Sequence, residues 1–184
     1  MALPKLGPIP SFNEYLSYAP HSSRICGVDF RNRDGAPDIS VVTVCYNAAT
    51  TIQATIDSIA AQNDAGQIEY VVVDGGSTDG TLDILRKNEG AITFWLSEPD
   101  GGISDAFNKG LALTHARIVT HLNADDVQYP HHLKAVLDVL DKHPKAGFCH
   151  GDMRILTMAG QERRRVRGPD DYRVGIDTRM TINH

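Results

Sequence analysis

Strand-like and helix-like segments alternate along the middle of this chain, and no other feature limits its possible folds as strongly. Four short runs rich in β-branched and aromatic residues are each followed by apolar residues at helical spacing. The strand patterns lie at 39–45, 68–73, 92–96 and 118–122, and the helix patterns at 52–60, 82–85, 104–114 and 130–140. This alternation predicts an α/β fold, in which βαβ units form a Rossmann-like, mainly parallel sheet flanked by helices.

The segments on either side of the alternating region follow other patterns. Residues 1–38 show no sustained period and are predicted to form an irregular lead-in. The short apolar run at 146–150 predicts one more strand. Runs at 153–156 and 162–167 flank Ala159-Gly160, and this arrangement predicts a C-terminal β-hairpin.

Length and composition exclude several classes of protein. The 184 residues are enough for one domain with a substantial core. With 18 Lys+Arg against 23 Asp+Glu the net charge is -5, which argues against non-specific binding of nucleic acid. The three cysteines are far apart and form no CxxC pair, so a reduced, cytoplasmic compartment is expected, without a zinc site or a disulfide framework. No apolar stretch is long enough for a transmembrane segment, and prolines interrupt any signal-peptide core.

Polar and glycine-rich loops follow the predicted strands. Tyr46-Asn47 follows the first strand, and 74–80, 100–102 and 123–126 follow the next three. Parallel strands joined by right-handed crossovers bring all four loops to one edge of the sheet, where α/β proteins bind ligands. The glycines match neither the dinucleotide fingerprint GxGxxG nor the P-loop GxxxxGK[ST]. A classical dehydrogenase or P-loop enzyme is therefore not expected.

Several residues of these loops have a structural explanation as well as a functional one. Asp125 and Asp126 either need a cation between them or belong to a solvated turn beside a helix start. Asp74 is either a hydrogen-bonded loop carboxylate or an acceptor for a base N–H in a cleft. Asp79 is better explained as a turn or helix-cap residue than as a ligand. The basic run at 163–167 is better explained as a solvated strand than as an anion site.

Four motifs of the chain occur in the order seen in family 2 glycosyltransferases. They are TVCYN at 43–47, VDGGSTDG at 73–80, EPDGGISDAFNKG at 98–110 and LNADD at 122–126. The chain resembles this family over about residues 39–152. The resemblance implies an inverting enzyme of the GT-A fold, which transfers a sugar from a nucleotide-diphosphate donor to an acceptor hydroxyl with Mn²⁺ or Mg²⁺. UDP-sugars are the family's commonest donors. On this basis, 39–157 would form the nucleotide-sugar-binding GT-A domain, and 158–184 the incomplete start of an acceptor-side segment.

The resemblance also implies roles for residues of the nucleotide site. Asp74 matches the family's base-contacting aspartate. Tyr46 is expected to lie against the base, with Asn47 beside it. Asp100 and Gly101 are expected near the ribose and the diphosphate.

The sequence departs from the family's pattern at two positions. Gly75 stands where the family often has a second aspartate. Asn123 replaces the first carboxylate of the metal-binding DxD motif, so it is expected to contribute to the nucleotide site only. Asp125 is then the main predicted metal ligand, with Asp126 as the weaker candidate. One firm carboxylate is enough for a cation that keeps phosphate and water ligands.

The general base that inverting transfer requires is not identified by the sequence. Asp152, Asp170, Asp171 and Asp177 are the available carboxylates, and each is better explained as structural or solvated. The acceptor, whether saccharide, lipid or protein, and a homo-oligomeric state are left open. Two alternatives to the transferase are a non-catalytic nucleotide- or metal-binding module and a flavodoxin-like signalling domain. The second expects a lysine at a late strand end, whereas Lys145 precedes its predicted strand.

Overall fold

The computed structural model describes residues 25–27, 36–157 and 160–166. By its contacts the chain divides into two compact units, 1–133 and 134–184. No helix within the described residues is long and apolar enough to cross a membrane.

The first unit contains a five-stranded sheet. Its strands are β1 (Ile25–Gly27), β2 (Ile39–Cys45), β3 (Ile68–Asp74), β4 (Phe94–Ser97) and β5 (Ile118–Asn123). They lie in the order β1-β4-β3-β2-β5, with β2 to β5 parallel and β1 antiparallel to β4. The parallel strands thus have the order third, second, first, fourth, which is the Rossmann order. Their carboxyl ends all lie at one edge of the sheet, as the sequence predicts.

Helices connect the parallel strands and follow the last of them. They are α1 (Ile52–Ala60), α2 (Thr81–Lys87), α3 (Ile103–Ala112) and α4 (His132–Lys142). Each connection between parallel strands contains one helix, so the predicted alternation of strand and helix is confirmed.

The core of the first unit is built on strands that are buried on both faces. All seven residues of β2 are buried, and so are six of the seven in β3. This double burial explains why their sequences are nearly continuous apolar runs instead of alternating ones. Helix α3 packs on β2 so closely that a Cβ on Gly110 would lie only 2.2 Å from Cγ1 of Val42. A side chain at position 110 would therefore separate the helix from the sheet.

The boundaries of two strands differ from the prediction. β1 lies within 1–38, which was expected to be irregular, because pairing with the edge of β4 uses backbone groups and needs no periodic pattern. The strand predicted at 92–96 begins at Phe94. The two residues before Phe94 are not part of the strand. Ile92 N donates to Asn88 O at 3.2 Å in the turn after α2, and Thr93 connects this turn to β4.

The second unit contains a two-stranded antiparallel hairpin of β6 (Met153–Leu156) and β7 (Glu162–Val166). This confirms the predicted C-terminal hairpin. The strand predicted at 146–150 is wrong, since these residues take no strand conformation. Their side chains are exposed or half-buried, with Phe148 39% exposed, so they form no apolar face that would hold a strand in a sheet.

Candidate functional site

A cleft of about 510 Å³ opens at the carboxyl edge of the sheet in the first unit. Its lining consists of Val44, Cys45, Tyr46, Gly75, Pro99, Asp100, Gly102, Ile103 and Ala106. These residues belong to the ends of β2, β3 and β4 and to the start of α3. Tyr46 is 66% exposed, so its ring is free to stack against a flat ligand. Two predicted nucleotide contacts, Tyr46 and Asp100, are thus brought together in one cleft.

Asp74 ends β3 and has no exposed surface. Its carboxylate accepts hydrogen bonds from Gly76 N at 3.0 Å, from Ser77 N at 2.9 Å, from the Ser77 hydroxyl, and from Ser97 Oγ at 2.6 Å. Sγ of Cys45 lies 3.5 Å away and acts as a further donor. Burial, with the charge of Asp74 as the next cause, raises the pKa of the Cys45 thiol, which therefore stays protonated. Asp74 holds the β3 loop against β4, and in this structure it offers no free acceptor to the cleft.

Asn47 joins the loops that follow β2 and β3. Its backbone N donates to Ser77 Oγ at 2.7 Å, and Thr78 N donates to its side-chain Oδ1 at 3.0 Å. Its φ is 50°, in the left-handed region that asparagine adopts more readily than most residues. Asn47 therefore fixes the two loops to each other at the rim of the sheet.

Asp79 continues the same junction of loops. Its carboxylate accepts hydrogen bonds from Ala49 N and Thr81 N, both at 3.0 Å. The Thr81 hydroxyl also donates to it at 2.6 Å, and this bond is the main cause that lowers the pKa of Asp79. Asp79 was predicted to be a turn or helix-cap residue, and these bonds make it a turn residue, because the N-cap of α2 is Gly80.

Asp100 occupies space that a side chain at position 75 would need. A Cβ built on Gly75 would lie 2.7 Å from Oδ2 of Asp100 and 3.4 Å from Cδ2 of Tyr46. Oδ1 of Asp100 accepts a hydrogen bond from Gly102 N at 2.7 Å, which fixes the carboxylate at the turn before α3. Gly101 N donates to Asp105 Oδ2 at 2.9 Å, so this loop is held by α3 as well.

The acidic loop after β5 carries the predicted metal ligands. Asp125 and Asp126 are exposed, and Asn123 Nδ2 donates to Asp126 Oδ2 at 3.2 Å. Although the residue is exposed, the surrounding protein removes part of the water around its carboxyl, and this loss of hydration raises the pKa of Asp126; the Asn123 bond opposes this shift, and the charge of Asp125 adds to it. Two adjacent carboxylates offer the oxygen ligands that a hard divalent cation prefers. No group of three or more His, Cys, Asp or Glu within the described part of the chain is arranged to hold a metal by itself.

Polar side chains of helix α1 and of Gln62 just after it hold the acidic loop and the residues that follow it in place. Three hydrogen bonds join Thr55 Oγ1 to Asp126 O (2.8 Å), Gln128 N to Ser58 Oγ (3.1 Å) and Gln62 Nε2 to Tyr129 O (2.8 Å). Residues three, four and seven positions apart share one face of a helix, so one face of the α1 segment meets one loop. Gln62 is only 2% exposed.

Residues that shape the site were missed by the sequence analysis. Ser97, Lys109 and Gln62 all place polar atoms in buried positions next to the loops. Lys109, for example, stands beside the buried Ala106 and Gly110 in α3. A buried polar residue needs a partner, so this interruption of the apolar pattern is the signal that would have identified them.

Only one of the four candidate general bases lies within the described residues. Asp152 precedes β6 in the second unit and is exposed. Asp170, Asp171 and Asp177 lie outside the described residues.

The strand order, the cleft and the acidic loop define an α/β protein with a candidate ligand site at the carboxyl edge of its sheet. The model of glycosyl transferase family 2 matches residues 40–181, and the chain belongs to this family. The predicted family is therefore confirmed. Membership excludes the flavodoxin-like alternative, whose sheet has a different strand order.

Curated relatives are longer than this chain. It is 40% identical over 91 residues to an uncharacterised glycosyltransferase of Mycobacterium tuberculosis, covering 50% of this chain and 35% of that protein. It is 36% identical over 122 residues to a PGL/p-HBAD biosynthesis glycosyltransferase of Mycobacterium bovis, covering 64% of this chain and 47% of the relative. The chain thus spans about a third to a half of the length of these relatives.

Solved structures of glycosyltransferases share the fold. Staphylococcus aureus TarS in complex with UDP-GlcNAc matches with a TM-score of 0.53 and 28% identity, over 58% of this chain and 32% of that one. A mannosyltransferase of Pyrobaculum calidifontis in complex with GDP-Man and Mn²⁺ matches with a TM-score of 0.52 and 29% identity, over 58% and 33%. The predicted GT-A fold, a mainly parallel sheet flanked by helices, is confirmed.

Proposed function

We propose that this chain forms the nucleotide-sugar-binding part of an inverting glycosyltransferase that transfers a sugar from a UDP-sugar to an acceptor hydroxyl. One observation carries the proposal. In this family 2 chain, the cleft and the acidic loop lie at the same edge of the sheet. The cleft contains an exposed tyrosine ring, a carboxylate and a glycine where a ligand can approach the backbone closely. The donors named with the similar structures, UDP-GlcNAc and GDP-Man, are of this chemical class.

The nucleotide would lie across the carboxyl ends of β2, β3 and β4. Tyr46 would stack on the base, and the loop with Asp100 and Gly101 would pass the ribose and the diphosphate. Asn47 would act by holding the rim of the cleft. Direct contact between Asp74 and the base stays a prediction, and it requires the β3 loop to move, because the Asp74 carboxylate is fully buried.

Asp125, with Asp126 beside it, would hold Mn²⁺ or Mg²⁺ together with phosphate oxygens of the donor. A divalent cation there supplies neutralisation of the charge that develops on the leaving diphosphate. Asn123 would orient this pair, since its amide already donates to Asp126. The hydrogen bond from Thr55 to the Asp126 carbonyl would keep the loop in place as the donor binds.

The acceptor side of the reaction requires a general base that removes the hydroxyl proton on the face opposite the diphosphate. Asp152, Asp170, Asp171 and Asp177 are the candidates, and residues 158–184 are proposed as the start of the acceptor-side segment. A saccharide, a lipid or a protein hydroxyl would satisfy the same chemistry.

The proposal is tested by melting the protein with UDP, GDP, CDP and ADP, each with and without Mn²⁺. A ligand that binds only the folded state raises the melting temperature, so UDP with Mn²⁺ is expected to give the largest rise. Absence of any shift at millimolar nucleotide would rule out the site. If the full protein binds nucleotide but neither transfers the sugar nor hydrolyses the donor, the alternative of a non-catalytic binding module is favoured.

A further inference from the structure

We propose that Gln62 is a positioning residue: its buried amide holds the chain that follows the acidic loop, and this support sets the affinity of the loop for a divalent cation. The inference rests on the proposed function, because it concerns the cation that Asp125 and Asp126 would hold. Gln62 lies just after α1 and is only 2% exposed, so it would act through the backbone and not by touching the ligand. The chain that it holds is the connecting segment, residues 127–131, which joins the acidic loop to α4.

The first support is that both ends of the Gln62 amide are engaged. Nε2 donates to Tyr129 O at 2.8 Å and to Ser58 O at 3.2 Å, and Oε1 accepts a hydrogen bond from Leu133 N at 3.2 Å. Tyr129 and Leu133 lie on the two sides of the turn that leads into α4, so one side chain fixes both sides of this turn to the end of α1. A neutral amide suits this position because it carries donors and an acceptor on one planar group.

The second support is the backbone of the connecting segment, which depends on its surroundings. His131 has a φ of 66°, in the left-handed region that residues other than glycine rarely adopt. Such a conformation persists where neighbouring groups fix it. Nδ1 of His131 lies 2.7 Å from Oδ2 of Asp64, but exposures of 79% and 41% make this a weak surface contact. The buried amide of Gln62 is therefore the stronger of the two supports of the turn.

The third support is a continuous series of contacts from Gln62 to the acidic loop. Gln128 N donates to Ser58 Oγ at 3.1 Å, and Thr55 Oγ1 donates to Asp126 O at 2.8 Å. The acidic loop and the connecting segment are thus tied to the same helix, and a shift of the segment would move the backbone at Asp126. In metal sites, loss of a contact that orients the ligands typically costs about 10–100-fold in metal affinity.

Gln62→Met tests this support. Methionine has nearly the length and volume of glutamine, but it has no amide, so Tyr129 O and Leu133 N lose their partner. Calorimetric titration with UDP, in saturating Mn²⁺ and in EDTA, gives the ratio of the two affinities. This ratio is expected to fall by about 10-fold in Gln62→Met, while the affinity in EDTA stays within about 2-fold of wild type. A merely structural role would lower the melting temperature and leave the ratio unchanged.

Gln128→Met is the matched control, because it makes the same replacement within the connecting segment. Oε1 of Gln128 is buried, and none of the residues that the structure describes donates to it. The contact of Gln128 with Ser58 uses the backbone N, which the substitution keeps. The ratio of UDP affinities is therefore expected to stay unchanged, although Gln128 is much nearer to Asp126 in sequence than Gln62 is.

Ser58→Ala is a second variant that decides the question if Gln62→Met fails to fold. It removes the acceptor of Gln128 N, and Ser58 is only half-buried, so this change is smaller. The ratio of UDP affinities in Mn²⁺ and in EDTA is expected to fall by about 3-fold, as for the loss of one hydrogen bond.

The outcomes separate this inference from the proposed function. If wild-type protein binds no nucleoside diphosphate, or if Mn²⁺ does not raise its affinity for UDP, the proposed function itself fails in its nucleotide or its metal part. If Mn²⁺ does raise the affinity but the ratio is unchanged in a folded Gln62→Met, or in Ser58→Ala where the first variant does not fold, only the role of Gln62 is overturned. An equal fall in Gln128→Met would overturn it too, because any disturbance of the connecting segment would then have the same effect.

Discussion

The ammonium group of Lys109 lies 3.0 Å from Oε1 of Glu98, and both side chains are almost completely buried, at 7% and 0% exposure. Nζ also donates to the Pro99 carbonyl at 3.0 Å and lies 3.4 Å from Asp105 Oδ2. One cation in α3 therefore binds the start of the loop that carries Asp100. The buried ammonium group thus fixes the wall of the cleft and has little contact with solvent.

Replacing Lys109 by methionine should lower the free energy of unfolding by about 3–5 kcal/mol, because it removes the cation that faces the buried Glu98 carboxylate. Methionine keeps most of the side-chain volume, so packing changes little. Urea unfolding measures the loss. Lys134→Met is the control, since its pair with Asp138 is about half exposed and should be worth at most about 1 kcal/mol. Equal losses in both variants would show that burial of the Lys109 pair is unimportant.

The parallel strands were predictable from the sequence because each of them is one continuous stretch of chain. Residues of β2 and β3 such as Val42 and Val72 are fully buried, and that requirement produces apolar runs that can be recognised without any partner. The hairpin was also predictable, because its two strands and its turn are adjacent in sequence. By contrast, β1 pairs with β4, which is far from it in sequence, and its own residues show no periodic pattern that would predict a strand.

The site was predictable in its location but not in its connections. Strand ends and motifs indicated loops that the structure does bring together, since Tyr46 and Asp100 line one cleft. The burial of Asp74 depends on Ser97, 23 residues later in the chain, and no local pattern reports that contact. The position of Asp100 against Gly75 likewise depends on how two loops pack. Residue types alone do not show that the Asp74 carboxylate already accepts several hydrogen bonds, because they carry no record of contacts between distant parts of the chain.

A substitution of Gly110 tests the contact of α3 with β2. Gly110→Ala should cost about 1–3 kcal/mol of stability, because the new Cβ would meet Val42 Cγ1 at 2.2 Å and the buried backbone has little room to shift. Gly90→Ala is the matched control, since its Cβ would meet no atom within 4 Å. Denaturant unfolding of both variants checks the difference, and an unaffected Gly110→Ala would mean that the helix can move off the sheet without cost.

Asp74→Asn should weaken the fold and the site together. The amide turns one of its two acceptor atoms into a donor, while Gly76, Ser77 and Ser97 still donate toward it. A loss of about 3 kcal/mol in unfolding free energy is expected for a fully buried charged acceptor. Nucleotide affinity should fall both with and without Mn²⁺, since the β3 loop loses its support. Unchanged stability with reduced affinity would instead indicate direct contact between Asp74 and the base.

The stacked pair of His121 and Phe107 should make stability depend on pH. Their rings lie 4.2 Å apart at 17°, and burial lowers the pKa of His121 below its ordinary value. The unfolded chain therefore takes up the proton first as the pH falls, so His121 contributes stability above about pH 6.5 that is lost below it. His121→Phe keeps an aromatic ring without the titration. Its unfolding free energy should fall less than that of the wild type between about pH 7.5 and about pH 5.5, and parallel losses would refute the assignment.

Asp125→Ala should abolish the part of nucleotide binding that depends on metal, and leave the rest. The Asp125 side chain is exposed in the loop after β5, so its removal should change the unfolding free energy by no more than about 0.5 kcal/mol. Without this carboxylate a cation would keep only Asp126 and the phosphates, and Mn²⁺ should no longer raise the melting temperature of the UDP-bound protein. Asp126→Ala should have a smaller effect of the same kind, since Asp126 already accepts a hydrogen bond from Asn123. The measurement is the melting temperature with UDP across a Mn²⁺ titration, and undiminished Mn²⁺ stabilisation of Asp125→Ala would place the cation elsewhere.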